Sequence, residues 1–328
     1  MLDKALPFVS IVIPVFNEER YLAPCLTSLT SLTYPKDRHE ILLVDNGSID
    51  RTIEIARGYR DVNIYVKENV KVGAVRNYGV EKAKGSLIVF LDSDCVVRPD
   101  WLTDGVCKLE TNPNTVIGGR YILRENPSWL EKYWVLGSPE TRITNALVGG
   151  CIFISKSTFC QLGGFNEKLN AGEDVDLTER LMKEQFIVKI DSSLNVIHLG
   201  YPSKLMPFVK RQLWHSSDYI NGLPNSLRDK IFLLTLAFLA GMIGAISSLI
   251  FSSINASVLI TSTFLVFFSP AILSVKRIAR SGEKYERFFD YISIYIVDFL
   301  YLIGRALGVI SGIRNLLTFR SYAKVGRR

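Results

Sequence analysis

The sequence predicts an α/β fold with a mostly parallel sheet, followed by a helical membrane segment, and three observations carry that prediction. Apolar, β-branched runs at residues 8–14, 40–44 and 87–91 end at a proline or run into an acid, as strands buried on both faces do when they open into a loop. Segments of helical spacing separate them, and strand–helix alternation argues for parallel pairing through right-handed crossovers. Residues 231–275 hold no charged side chain, enough for two spans of about 20 residues each.

The first run, FVSIVIP, stops at Pro14, where a strand ladder gives way to a loop. Val15, Phe16, Asn17, Glu18 and Glu19 follow, then Leu22, Leu26 and Leu29 on one helical face. The second strand ends in Asp45-Asn46-Gly47-Ser48, a turn-forming group, and Asp50 is placed to cap the next helix. No G-x-G-x-x-G follows the first strand and no G-x-x-x-x-G-K-[ST] occurs, which argues against dinucleotide dehydrogenases and P-loop enzymes. Residues 72–79, VGAVRNYG, read as a loop entering a helix, with Gly73 free for close ligand approach and Arg76 suited to bidentate diphosphate contact.

The third strand ends in Asp92-Ser93-Asp94. Ligands in open α/β sheets bind outside the carboxyl ends of strands. Two hard oxygen ligands there suit Mg²⁺ or Mn²⁺ carrying a diphosphate. Further on, residues 147–154 read as a strand opened by Gly149 and Gly150, where backbone meets ligand. Gly172-Glu173-Asp174-Val175-Asp176 opens a helix with an acidic first turn, favourable at the positive end of the dipole. That structural role suffices for Asp176 and Glu179. His198 closes a strand pattern, and imidazole suits transition metals; a hydrogen-bonded core histidine fits it equally.

Four segments in order, VSIVIPVFNEERYL, ILLVDNGSIDRT, VGAVRNYGVEKAKGSLIVFLDSDCVV and GGFNEKLNAGEDVDL, resemble the family-2 glycosyltransferases of GT-A fold over about residues 7–200. The resemblance implies donor-binding roles for Pro14, Val15, Asn17, Glu18, Asp45, Arg76, Asp92 and Ser93. It implies metal binding by Asp94, with Asp92 on ribose or a metal-bound water; His198 is a further candidate ligand on its own chemistry. It makes Asp174 the general base and sets Glu173 to orient the acceptor. A base opposite the leaving diphosphate implies single displacement with inversion. Arg211-Gln212-Leu213-Trp214 only loosely resembles the Q-x-x-R-W of processive synthases, and the order differs, which favours single addition.

The basic charge is local. The net charge is +7, yet residues 1–230 are neutral, and residues 276–328 hold eleven basic against four acidic side chains. Basic charge beside apolar runs points to an anionic membrane surface, and no nucleic-acid-binding motif appears. Five cysteines, at 25, 95, 107, 151 and 160, show no metal or C-x-x-C spacing and suit small core residues in a reducing compartment. The N-terminus lacks a signal-peptide layout.

The resulting expectation is a GT-A catalytic domain over 1–200, an amphipathic juxtamembrane region over 201–230, a membrane region over 231–313 and a basic tail over 314–328. Helices are expected at about 231–251 and 256–275, with a turn near residues 252–255, and a third at about 289–312. That third segment carries Asp298 and Arg305, and both a packed span and an interfacial helix accommodate them. Those charges either mark a lipid-phosphate path or pair within the bundle. The basic residues from Lys276 to Arg287 place that loop, and with it the catalytic domain, on the cytosolic side. The donor is a UDP-, GDP- or dTDP-linked sugar and the acceptor a lipid-linked or glycan hydroxyl. A polyprenyl-phosphate acceptor is the runner-up, disfavoured because a phosphate needs no base. A non-catalytic donor- or glycolipid-binding membrane partner is the competitor from another class.

Overall fold

The computed structural model describes residues 6–110, 114–136, 146–169, 171–216, 219–220, 223–250 and 255–325. The chain divides into two compact units, Met1–Asn126 with Ile143–Tyr201, and Pro127–Arg142 with Pro202–Arg328. The first unit thus surrenders an excursion, residues 127–142, to the second.

The first unit runs β1 (Val9–Val15), α1 (Leu22–Thr30), β2 (His39–Asp45), α2 (Thr52–Arg57), β3 (Val62–Val66), α3 (Val72–Lys82), β4 (Leu87–Leu91), β5 (Cys95–Val96), α4 (Trp101–Glu110), β6 (Thr115–Gly118) and β7 (Tyr121–Ile122). The excursion holds α5 (Trp129–Trp134), after which the first unit resumes with β8 (Cys151–Ser155), α6 (Lys156–Gln161), α7 (Glu173–Lys183), β9 (Ile187–Ile190) and β10 (Val196–His198).

Seven strands form one sheet in the order β3-β2-β1-β4-β8-β6-β9. The four strands from β3 to β4 are parallel, whereas β8 is antiparallel to both of its neighbours. Every residue of β1 is buried, because both sheet faces are covered. Ile11, Ile13, Leu26 and Trp101 lie in one core layer, and Val12, Phe90, Phe159, Phe165 and Leu177 in the other. That double burial explains the uninterrupted apolar runs.

Three expectations need correction. Residues 72–82 are helical throughout, and Gly79 brings α3 down against Val12 of β1. Gly73 faces Phe165 and the Asn166 carbonyl of its own unit. Glycine's low helix propensity imitates a loop here, and the close packing overrides it. The strand expected over 147–154 begins only at Cys151, after a turn at Gly149-Gly150. The N-cap position of α2, expected at Asp50, falls to Arg51, which makes no side-chain cap; Asp50 stands one residue earlier, and its carboxylate accepts from the Thr52 amide (3.0 Å) and the Thr52 hydroxyl (2.5 Å).

The second unit adds α8 (Leu205–Ser216), α9 (Leu223–Ser226), α10 (Lys230–Ile250), α11 (Ala256–Ser281) and α12 (Phe288–Val325). Three helices, Lys230–Ile250, Ala256–Ser281 and Phe288–Arg314, are long and apolar enough to cross a membrane. Of the turn expected at 252–255, residues 252–254 lie outside the described residues. In helix α8, Phe208, Gln212 and Ser216 are buried, while Leu205, Met206, Lys210 and Trp214 are exposed, so each face mixes apolar and polar side chains. Asp298 pairs within the unit, with Arg277 and with the Ser274 hydroxyl at 2.7 Å.

Candidate active site

The expected site residues converge at the carboxyl ends of β1, β2 and β4 and at the start of α7. Asp92 follows β4 directly. Its Oδ1 lies 2.7 Å from Arg76 Nη2, and its Oδ2 accepts from the Tyr121 hydroxyl at 2.6 Å. The other arm of Arg76, Nη1, meets Glu173 Oε1 at 2.5 Å. Arg76 is only 3% exposed. One buried guanidinium therefore ties the end of β4 to the first turn of α7, in the forked geometry that only arginine offers. The guanidinium expected to contact a diphosphate thus holds two carboxylates, and each oxygen of Asp92 accepts from one protein group.

The two glycines before β8 serve that network. A side chain on Gly149 would enter the Arg76 guanidinium, and one on Gly150 would enter Asp92 and the Tyr121 hydroxyl. Their backbones also donate: Gly150 N to the Tyr121 hydroxyl (3.0 Å) and Gly149 N to Asp174 Oδ2 (2.9 Å). The close backbone approach read from sequence is real, and its target is this charge network. Gly172, in the left-handed region at φ 83°, starts α7 and puts Glu173 and Asp174 in its first turn.

Asp94 is brought to His198 by the small sheet β5-β10-β7, in which His198 pairs with Cys95. His198 Nε2 lies 3.3 Å from Asp94 Oδ2. The ring sits between Tyr121 and Tyr201, with centroids at 4.7 and 4.3 Å. Gly200 leaves room for the Asp94 carboxylate, which a side chain there would strike. Ser93 is buried in the intervening turn.

The loop after β1 is clamped to the loop after β2. Asn17 adopts φ 55°, its amide donates to Ser48 Oγ at 2.9 Å, and its Oδ1 accepts from Ile49 N at 2.9 Å. Asp45 accepts from the amides of Gly47 and Ser48 and from the Ser48 hydroxyl. These bonds hold the carboxylate within its own turn, as an Asx turn does. Pro14 and Val15 complete the end of β1.

The electrostatics are uneven. Burial, with Asp94, Asp92 and Asp50 nearby, pushes the Glu18 carboxyl up to about 8. Burial also acts on Asp92, but Arg76, the Tyr121 hydrogen bond and His198 override it and hold that carboxyl below its usual range. Asp174 is raised by burial and by Glu173, against its hydrogen bonds from Gly149 and Val175. Carboxylates whose environments push them apart in this way mark functional sites.

Tyr121, Tyr201 and the Arg76–Glu173 link escape sequence reasoning. Tyr121 lies on a two-residue strand without periodic signal, and only the pairing of β7 with β10 (Val196↔Tyr121) brings it here.

A mostly parallel sheet with paired acids after β4 and an acidic helix start is the architecture of a GT-A fold. Residues 10–159 match the family model Glycosyl transferase family 2. The chain is 33% identical over 190 residues to Glycosyltransferase AglE of Haloferax volcanii, covering 55% of this chain and 62% of the relative. It is 30% identical over 105 residues to the dolichyl N-acetyl-alpha-D-glucosaminyl phosphate 3-beta-D-2,3-diacetamido-2,3-dideoxy-beta-D-glucuronosyltransferase of Methanococcus voltae, covering 30% of this chain and 33% of the relative. The chain thus spans less than two thirds of either relative. Among solved structures it is similar in fold to the mannosyltransferase PcManGT from Pyrobaculum calidifontis, in complex with GDP-Man and Mn²⁺. The TM-score is 0.58 at 18% identity, over 94% of this chain and 87% of that one.

Proposed function

We propose that this protein is a membrane-anchored, inverting glycosyltransferase. It moves a sugar from a nucleoside-diphosphate donor to a hydroxyl of a lipid-linked acceptor at the cytosolic membrane face. The observation that carries the reading is the union, in one unit, of Asp94 with His198 after β4 and Asp174 at the start of α7, where Arg76 ties their neighbours Asp92 and Glu173 together. The Methanococcus voltae relative is named for transfer to a dolichyl-linked sugar, which supports a lipid-linked acceptor.

A divalent cation fits the residues present. Asp94 and His198 offer one oxygen and one imidazole nitrogen, a donor set that suits Mn²⁺ better than Mg²⁺. Glu18 is raised by burial first and by the nearby Asp94, Asp92 and Asp50 second, and a cation among these acids would offset their mutual repulsion. Among the described residues no cluster of three or more metal-type side chains forms, as expected where substrate phosphates complete the coordination. When bound, such an ion offsets the charge that develops on the departing diphosphate.

The chain's own groups supply the rest. Asp174, raised above an ordinary aspartate and aimed by Gly149 N, takes the proton of the acceptor hydroxyl. Glu173, locked by Arg76, positions that turn of α7. Asn17, Pro14 and Val15 shape the nucleotide cradle, with the Asp45 turn behind them.

Transfer assays with detergent-solubilised full chain, membrane lipid extract and a panel of UDP-, GDP- and dTDP-sugars test the proposal. Metal-dependent transfer into lipid that Asp94→Ala and Asp174→Asn both abolish is expected. Full turnover by Asp174→Asn would instead favour a phosphate acceptor, which needs no base.

A further inference from the structure

Helix α12 has 38 residues, about 57 Å at 1.5 Å per residue, and composition alone makes its first 27 a candidate span. Its neighbours within the second unit argue otherwise. At one end, Asp290 accepts from the Tyr133 hydroxyl (2.6 Å) and Ser293 accepts from Trp129 Nε1 (3.1 Å), both on α5. At the other, Gly304 packs on Val209 and Gln212 of α8, and Gly308 on Leu213 and Ser216. Between Asp290 and Gly308 lie about 27 Å of helix axis, nearly the hydrocarbon thickness of about 30 Å.

Both ends of that stretch are therefore covered by helices too short to cross. Helix α8 has 12 residues and α5 has 6, about 18 and 9 Å long. They carry Lys132, Lys210 and Arg211, charges that cost about 2.5–3.5 kcal/mol each at the centre of a bilayer. Among the described residues, the hydrogen bonds and ring contacts that join α12 to the apolar helices α10 and α11 fall on Tyr295, Asp298 and Phe299, in the middle of an apolar cluster shared with Phe238 and Leu273.

The face of α12 left uncovered is apolar: Phe289, Ile292 and Ile296 are exposed toward one end and Leu307, Ile310 and Ile313 toward the other, with half-buried Phe299, Leu300 and Ile303 between them. Arg305 sits within this window yet meets neutral groups, the Tyr219 hydroxyl (3.2 Å) and the His215 carbonyl (3.4 Å), and lies over the Tyr301 ring.

We propose that α12 does not cross the membrane but lies along its surface. Its exposed stripe enters the boundary between headgroups and acyl chains, and α5 and α8 cover its other side. The chain then has two spans, α10 and α11. Arg305 lies near the lipid phosphates instead of mid-bilayer. Arg314, Arg320 and Lys324 stay on the same side as Lys276 to Arg287, as the distribution of basic residues requires, whereas a third span would separate them. This inference does not depend on the transfer reaction, and its test reads topology and depth instead of activity.

In full-length protein with Cys107→Ser and Cys160→Ser, single labels at Ile296→Cys and Ile310→Cys report depth by quenching from lipids nitroxide-labelled at different chain positions. The two sites are about 21 Å apart along the axis. A surface helix puts both about 5–10 Å into the boundary, differing by less than about 5 Å. A depth difference near 20 Å, or no quenching at either site, overturns the proposal. In a bacterial host, a fluorescent protein fused to the C-terminus is expected to fluoresce and alkaline phosphatase fused there to stay inactive. The reverse pattern also overturns it.

Discussion

Arg76 is the residue on which the candidate site turns. Buried and forked between Asp92 and Glu173, it is read here as a positioning residue. Removing one partner of a buried ion pair typically costs about 3–5 kcal/mol, because the remaining charge stays buried. Arg76→Met is expected to lower the unfolding midpoint of the solubilised chain and to abolish turnover. Arg76→Lys, a point charge that reaches one carboxylate at a time, should regain part of the stability and little of the activity; full activity in Arg76→Lys would contradict the forked link. Glu18 gives a pH signature. Its folded-state value of about 8 lies above the ordinary 4.5, so the folded chain keeps this proton to higher pH than the unfolded chain. Its contribution is present in full below about pH 4.5 and is lost as pH rises through 8. Metal-free wild type should therefore lose thermal stability across that window relative to Glu18→Gln, a difference readable from paired melts at pH 5 and pH 8.

At the scale of elements, the helix start at Gly172 and the turn at Gly149-Gly150 deliver the acids, while close-packed glycines set how near α3 approaches the sheet. Gly79→Ala would drive a methyl into Val12, and overpacking of this kind costs about 1–3 kcal/mol. A lowered melting midpoint, with turnover per folded molecule retained, is expected from calorimetry and assay together. Much of this level was legible in the sequence. Strands β1, β2 and β4 are buried on both faces, so their apolar runs stand out, and the acids after them sit where such strands must open. Helix α3 was not legible, because Gly73 and Gly79 lower its local propensity and their purpose lies in distant Phe165 and Val12. The link from Arg76 to Glu173 was not legible for a related reason: the two stand 97 positions apart and neither carries a local signal of the other. Tyr121 left no sequence signal at all.

Over the whole molecule, composition separates the functions cleanly. Residues 1–230, which hold the candidate site, are charge-balanced, and the excess of basic residues lies among and after the apolar helices. That distribution predicts association with anionic membranes. Extraction by high salt alone should fail, because α10 and α11 present long apolar surfaces that only detergent can replace. Release of the full chain by salt or alkaline carbonate, read by sedimentation of membranes, would contradict the anchoring. The central claim is that Asp94 and His198 build a cation-dependent sugar-transfer site. Its most direct test is Mn²⁺-dependent donor turnover by solubilised wild type beside Asp94→Ala and His198→Ala, across the nucleotide-sugar panel with lipid extract. The account predicts turnover with at least one donor, loss of more than about 100-fold in Asp94→Ala, and a raised Mn²⁺ requirement in His198→Ala. Turnover that persists in Asp94→Ala, or that ignores metal in the wild type, would contradict it.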